Sequence, residues 1–309
     1  MKTHALMFHQ FHDDEKHIKE QGSITGKEFA DMIIHYRKKF NILSAREWYE
    51  LAIADKLSEK DVCITFDDAL RSQYDIAFPV LEEFNIKAFW FIYSSPLNNV
   101  IEKLELYRYF RFKEFNDIND FYDSFNKEID NSEYRSEVEV ALRGFDHEHH
   151  LKEYPFYTKE DKVFRFLRDD VLGAKKYHHL MDDMISKSGI RKDGLLDLLW
   201  MDKNGVKELK EKGHIIGLHS HTHPTKLELL DKNEQEKEYI QNHSVLSEIV
   251  GNEIFSMSHP NGSYNKDTLD ILKKLKVQIG FRANMNVGGG SKLEIPRLDH
   301  TYLIKEVRK

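Results

Sequence analysis

Two short segments of this chain carry side chains that could do chemistry together. Asp67 and Asp68 close an apolar run, Val62-Cys63-Ile64-Thr65-Phe66, while His219, His221 and His223 follow another, Ile215-Ile216-Gly217-Leu218. A divalent cation needs about three converging nitrogen and oxygen ligands and a position left open for water. One aspartate could bind such an ion while its neighbour takes a proton from the water. Neighbours on an extended strand point to opposite sides, so both reach one centre only where the backbone turns. The bland alternatives are an aspartate pair capping the next helix and a surface cluster of histidines without a role. The histidine spacing leaves its own choice open. On a helix His219 and His223 share a face and His221 points away; on a strand all three align. Pro224 favours a loop or a single turn, and spacing alone does not decide for His221.

Segments this far apart can meet at one end of a barrel of parallel strands, and the surrounding elements read that way. Leu6-Met7-Phe8-His9 is a short buried strand ending in a histidine. Thr25-Gly26-Lys27-Glu28 and Ser44-Ala45-Arg46-Glu47 are capping boxes that open helices. The first helix runs to about Phe40, with Phe29, Ile33 and Tyr36 at helical spacing. A strand at 62–66, a helix near 74–84 and a strand at 88–93 follow. Alternation then stops from about Leu97 to Leu199, where charged, proline-poor sequence reads as several amphipathic helices, one opening at Thr158-Lys159-Glu160-Asp161. It resumes with helix 202–212, strand 215–218, helix 231–250 ended by Gly251, strand 254–258, helix 265–276 and strand 277–282. Six strands are read directly, around a helical insertion at about 97–200 within one domain, 1–309.

Composition narrows the function. The 309 residues are 40% hydrophobic and 32% charged, with a net charge of −7, which suits a globular protein and argues against a nucleic-acid-binding surface. Ala5 to Phe8 is too short an apolar run for a secretory signal, and no run approaches a membrane span. The cytoplasm is the expected location. The single cysteine, Cys63, sits in a strand-like run and reads as a buried, inert thiol.

The stretch 65–95, beginning Thr65-Phe66-Asp67-Asp68-Ala69, and the stretch 209–227, containing His219-Ser220-His221-Thr222-His223, together resemble the polysaccharide deacetylase family, carbohydrate esterase family 4. The resemblance implies a distorted parallel (β/α) barrel of about seven strands that removes an acyl group from an N-acylated amino sugar with a metal-held water. It makes Asp67 the general base and Asp68, His219 and His223 the metal ligands, with His221 at an unassigned position. Zinc suits that donor set, with cobalt, nickel or iron(II) as alternatives.

The chain departs from the family pattern in two places. Ala69 replaces the glycine after the aspartates, and the counterpart of the arginine-bearing third motif, Ser258-His259-Pro260-Asn261-Gly262, has no arginine. Arg297, in Ile295-Pro296-Arg297-Leu298-Asp299, is the candidate for the missing partner of the base. For the general acid His9 is the first choice; His259 and His300 are weaker ones. The expected substrate is an amino sugar in nucleotide-linked, lipid-linked or oligosaccharide form, met while a surface polysaccharide is built. Trp90, Tyr93 and Tyr264 near strand ends would suit sugar stacking. A hydrolase of a non-sugar linear or cyclic amide on the same fold is the alternative, and a non-catalytic relative the third reading.

Overall fold

The computed structural model describes residues 4–152, 157–191, 193–251, 253–286 and 289–307. These divide into two compact units, residues 103–193 and the rest.

The larger unit is built on seven parallel strands among the described residues: β1 (Ala5–Phe8), β4 (Ile64–Asp67), β5 (Phe89–Ile92), β6 (Ile215–Leu218), β7 (Ser256–Ser258), β8 (Ile279–Phe281) and β9 (Arg297–Asp299). Their order is β8-β7-β6-β5-β4-β1-β9; β2 (Asn41–Ile42) and β3 (Asp61–Val62) form a separate two-stranded ladder. The sheet curls into a nearly closed barrel. Its gap is narrowed where Ile295 N donates to Gly280 O and Arg282 N to Ile295 O, each at 2.8 Å. The six strands read from sequence are present, and β9 supplies the seventh that the family resemblance implied. Strands buried on both faces read as continuous apolar runs, and each of β1, β5 and β6 is buried throughout.

Two apolar layers sit on either side of this wall. Inside the barrel, Ala5, Cys63, Phe89, Phe91, Ile215 and Phe281 pack together around Trp48, which the helix α2 (Ala45–Ile53) inserts. Outside, Phe8, Phe66, Trp90 and Ile216 meet the inward faces of the surrounding helices, including Phe29 and Ile33 of α1 (Gly26–Arg37). The first capping box is complete: Thr25 Oγ1 accepts from Glu28 N at 3.1 Å and Glu28 accepts from Thr25 N at 2.9 Å. Such a cap adds about 1 kcal/mol and fixes where the helix starts. The helix expected near 74–84 opens instead as a π-helical turn, Gln73–Ala77, before α3 (Phe78–Glu83).

The second unit contains α4 (Lys103–Glu114), α5 (Ile118–Asp130), α6 (Arg135–Arg143), α7 (Lys159–Phe166) and α8 (Gly173–Ser188), and no strand among its described residues. Its core is aromatic, with Phe110, Phe121, Phe125, Phe164 and Tyr177 buried. Thr158 and Asp161 form the capping box that starts α7. Back in the barrel unit, α9 (Leu195–Leu199), α10 (Lys203–Glu211), α11 (Lys232–Val250) and α12 (Lys266–Lys274) complete the crossovers. The last helix, α13 (His300–Val307), follows β9 directly. No helix among the described residues is long and apolar enough to cross a membrane.

Candidate active site

Parallel strands end on one rim, and both chemical segments lie there. Asp67 is the last residue of β4, and the chain turns at once: Asp68 and Ala69 have φ of 81° and 57°. That left-handed pair explains why a glycine would be at ease at position 69. The turn is pinned by Asp68 N donating to Phe91 O at 3.1 Å and Met201 N to Ala69 O at 2.9 Å. Gln73, fully buried, donates from Nε2 to the carbonyls of Asp67 at 2.6 Å and His9 at 2.8 Å. Both strand ends are thereby tied to one side chain.

The turn aims Asp68 at two imidazoles. Asp68 Oδ1 lies 3.3 Å from His219 Nε2 and 3.4 Å from His223 Nε2. His219 follows β6 directly, and Ser220 and His223 adopt φ of 62° and 57°, bending the segment back on itself. His221 turns elsewhere, its Nδ1 2.8 Å from Ser94 Oγ. The spacing left His221 open; the bend removes it from the centre. Asn242 and Glu238, both on α11, hold the segment: Asn242 accepts from His219 N at 3.0 Å, and Glu238 accepts from the backbone of His221 and Thr222 at 2.9 and 2.8 Å.

This donor set fits a cation. The Ser258 carbonyl can only accept, so His219 Nδ1, 2.9 Å away, carries the proton and leaves Nε2 with a lone pair. That lone pair faces a carboxylate oxygen that is buried and lacks a hydrogen-bond partner among the described residues. Acceptor opposite acceptor is unfavourable unless a positive charge lies between them. One ligand atom each of Asp68, His219 and His223 lies within 4.8 Å of the others. Burial raises the Asp68 carboxyl, but a hydrogen bond from His219 and the charges of His223 and His9, in their protonated forms, outweigh it and hold the group well below the usual carboxylate range. Burial pushes the His223 imidazole down to about 4 against the pull of Asp68, so it is neutral near pH 7, as a ligand must be.

Asp67 is held from the other side. Arg297, at the start of β9, meets it bidentately, and the two side chains are 0% and 3% exposed. Arg297 also donates from Nε to Arg282 O at 2.6 Å. Burial raises the Asp67 carboxyl, while Arg297, His219 and His9 together hold it well below its ordinary value. His9, just past β1, sets Nε2 3.6 Å from Asp67 Oδ2 and Nδ1 4.0 Å from Asp299 Oδ2. Burial opposes the charge on His9, but Asp67, with Asp68 and Asp299, raises its pKa above 6.5. His9, Asp299 and His300 form a second gathering of possible ligand atoms, and His9 is the member that also faces Asp67.

Other expected residues stand elsewhere. His259 is buried, donates from Nε2 to Leu293 O at 2.8 Å and stacks on Tyr264. His300 opens α13, with Nε2 donating to Gly22 O at 2.7 Å and its ring stacked on Phe8. Trp90 is no sugar platform: it is 1% exposed, stacked on Phe66 on the helix side of the barrel. Tyr93 is buried as well, its hydroxyl bonded to Trp200 Nε1 and its ring 5.0 Å from that of His223. Gln73, Asn242 and Glu238 are the positioning residues that sequence reading missed, and Ser258, read only as part of the third-motif counterpart, is a fourth. No motif marks the first three, because each acts through a bond to backbone from a distant element.

A family model for polysaccharide deacetylases matches residues 54–170 and 171–280. Among solved structures, the chain is similar to the deacetylase PplD of Streptococcus pyogenes, determined with acetate, at 15% identity and a TM-score of 0.57, covering 100% of this chain and 99% of that one. IcaB from Ammonifex degensii aligns at 16% identity and a TM-score of 0.57, over 99% and 97% of the two chains. A de-N-acetylase from Aggregatibacter actinomycetemcomitans aligns at 14% identity and a TM-score of 0.57, over 99% of each. At these identities the likeness speaks for the fold. Comparison with curated proteins finds no match.

Proposed function

Since the chain belongs to the polysaccharide deacetylase family, we propose that it is a metal-dependent hydrolase that removes an N-acetyl or similarly small acyl group from an amino sugar. The observation that carries this reading is Asp68 Oδ1 lying 3.3 and 3.4 Å from two imidazole nitrogens, beside the buried Arg297–Asp67 pair. Asp68, His219 and His223 would hold the cation, with zinc the first choice for one carboxylate and two imidazoles and cobalt, nickel or iron(II) the alternatives. When bound, a divalent cation supplies Lewis acidity, lowering the pKa of water from near 16 to about 7 and polarising a carbonyl.

The chain's own groups do the proton work. Asp67, kept ionised by Arg297, accepts the proton of the attacking water at one of its carboxylate oxygens. Arg297 fixes both of those oxygens, so the base cannot swing away between turnovers. His9, whose pKa is raised by Asp67, is the group that returns a proton to the departing nitrogen. The substrate in this reading is a nucleotide-linked, lipid-linked or oligosaccharide amino sugar, deacetylated while a surface polysaccharide is built. A non-sugar amide is the second reading, favoured by the burial of Trp90 and Tyr93, which withdraws both from stacking.

The test is acetate release by protein stripped with a chelator and reloaded with zinc, cobalt, nickel or iron(II). The substrate panel is N-acetylated nucleotide sugars, chitooligosaccharides and a linear ureide. Release that appears only on reloading, and on a sugar, supports the reading. Equal release by the stripped protein, or turnover of the ureide alone, overturns it.

A further inference from the structure

The helical unit buries two guanidinium nitrogens, Arg111 Nε and Arg165 Nε, that have no hydrogen-bond partner among the described residues. Arg108 and Arg111 lie one turn apart on α4, and Arg165 and Arg168 likewise on α7 and the π-helical turn that follows it. Arg111 brings the two pairs together, its Cζ 5.1 Å from the ring centre of Phe164, the residue before Arg165. Arg165 in turn stacks its Cζ 4.0 Å over Tyr157. Arg168 is satisfied by Asp169 at 2.7 and 2.6 Å, and Arg108 has Glu105 at 3.6 Å. Arg111 and Arg165 have neither a hydrogen bond nor an ion pair among the described residues. Arg111 is 8% exposed, and its Nε and that of Arg165 are buried without partners.

The acid that could have helped is engaged elsewhere. Asp161 accepts at Oδ1 from the Tyr122 hydroxyl and at Oδ2 from the backbone N–H of Thr158. Burial is the largest influence lowering the pKa of both Arg111 and Arg165. Arg108 and Arg165 push Arg111 down further, and at Arg165 the repulsion of Arg168 and of Arg108 each exceeds the attraction of Asp161. Contact with an aromatic face returns only part of what an unpaired buried cation costs.

Arg111 and Arg165 are thus the two guanidiniums of the cluster with no carboxylate bonded to them among the described residues. We propose that this arginine cluster binds a phosphate or diphosphate group carried by a ligand of the protein. A phosphate monoester brings close to two negative charges near pH 7 and three acceptor oxygens, enough to serve Arg111 and Arg165 together. The planar guanidinium fork suits phosphate oxygens in pairs. The site belongs to the helical unit.

The experiment is calorimetric titration of the full chain with inorganic pyrophosphate at constant ionic strength, with thermal melting alongside. The wild type is expected to bind and to melt higher. Arg111→Met, which keeps the packing against the aromatic rings, and Arg165→Gln are each expected to weaken binding about tenfold or more. Arg111→Met without ligand is expected to melt no lower than the wild type, because it removes an uncompensated charge. Two further arms name the source. Binding of uridine diphosphate assigns a soluble ligand, and binding to phosphatidylcholine vesicles carrying phosphatidic acid, lost in the same variants, assigns a lipid headgroup. No pyrophosphate binding, or affinity unchanged in both variants, overturns the proposal.

Discussion

Arg297 grips Asp67 across 230 residues of chain, Nη1 to Oδ1 at 2.7 Å and Nη2 to Oδ2 at 2.6 Å. The pair joins β9 to β4 although β1 lies between them in the sheet, so the guanidinium reaches past a whole strand. Breaking a buried pair from one side strands the other charge, at a cost of about 3–5 kcal/mol. Arg297→Met is expected to lose that much in urea denaturation, and adding Asp67→Asn is expected to recover part of it. Equal stability of the single and double variants would show that the pair is not coupled.

His214 sets a pH limit on stability. Its Nδ1 accepts from Ala88 N at 3.0 Å and from the Trp90 indole at 3.1 Å, so a second proton would have to displace a donor. Burial, helped by Lys87, pushes its pKa down from 6.5 to about 4. Between those values the unfolded chain takes up a proton that the folded chain refuses. The contribution is therefore intact above about pH 6.5 and is lost as pH falls, by about 1.4 kcal/mol per unit. His214→Gln is expected to flatten the acid slope of unfolding free energy against pH by about one proton. An unchanged slope would remove His214 as the cause.

Gly217 sits inside β6 because its neighbours occupy the space of a side chain. A Cβ there would come within 2.6 Å of both Phe91 Cδ1 and Ser256 Oγ. Phe91 is its register partner on β5 and fills the barrel interior. Gly217→Ala is expected to destabilise by about 1–3 kcal/mol through overpacking, read as a lower urea midpoint. A midpoint equal to the wild type would mean that the strand yields freely.

Much of this was legible in the chain itself. The aspartate pair and the histidines advertise themselves because metal chemistry needs specific atoms next to strand ends. The capping boxes at Thr25 and Thr158 fix helix starts by local bonds that sequence spacing shows directly. Arg297 was within reach because a base without its motif arginine needs a cation from somewhere. Trp90 was misjudged for a physical reason. Its neighbours Phe89 and Phe91 are apolar too, so a strand buried on both faces has no polar alternation to say which way a side chain points. Gln73 and Asn242 escaped notice because their work is to bind backbone brought close by the fold, and nothing local marks such a residue. The two-residue strands at Asn41 and Asp61 and the final helix are too short or too weakly patterned to stand out.

Metal content and acetate release measured on the same preparation of Asp67→Asn, beside the wild type, test the division of labour in this site most directly. The expected result is an unchanged metal content, because Asp68, His219 and His223 remain, with release slowed by about 10²–10⁴-fold. Release at the wild-type rate from a fully loaded Asp67→Asn protein would contradict it.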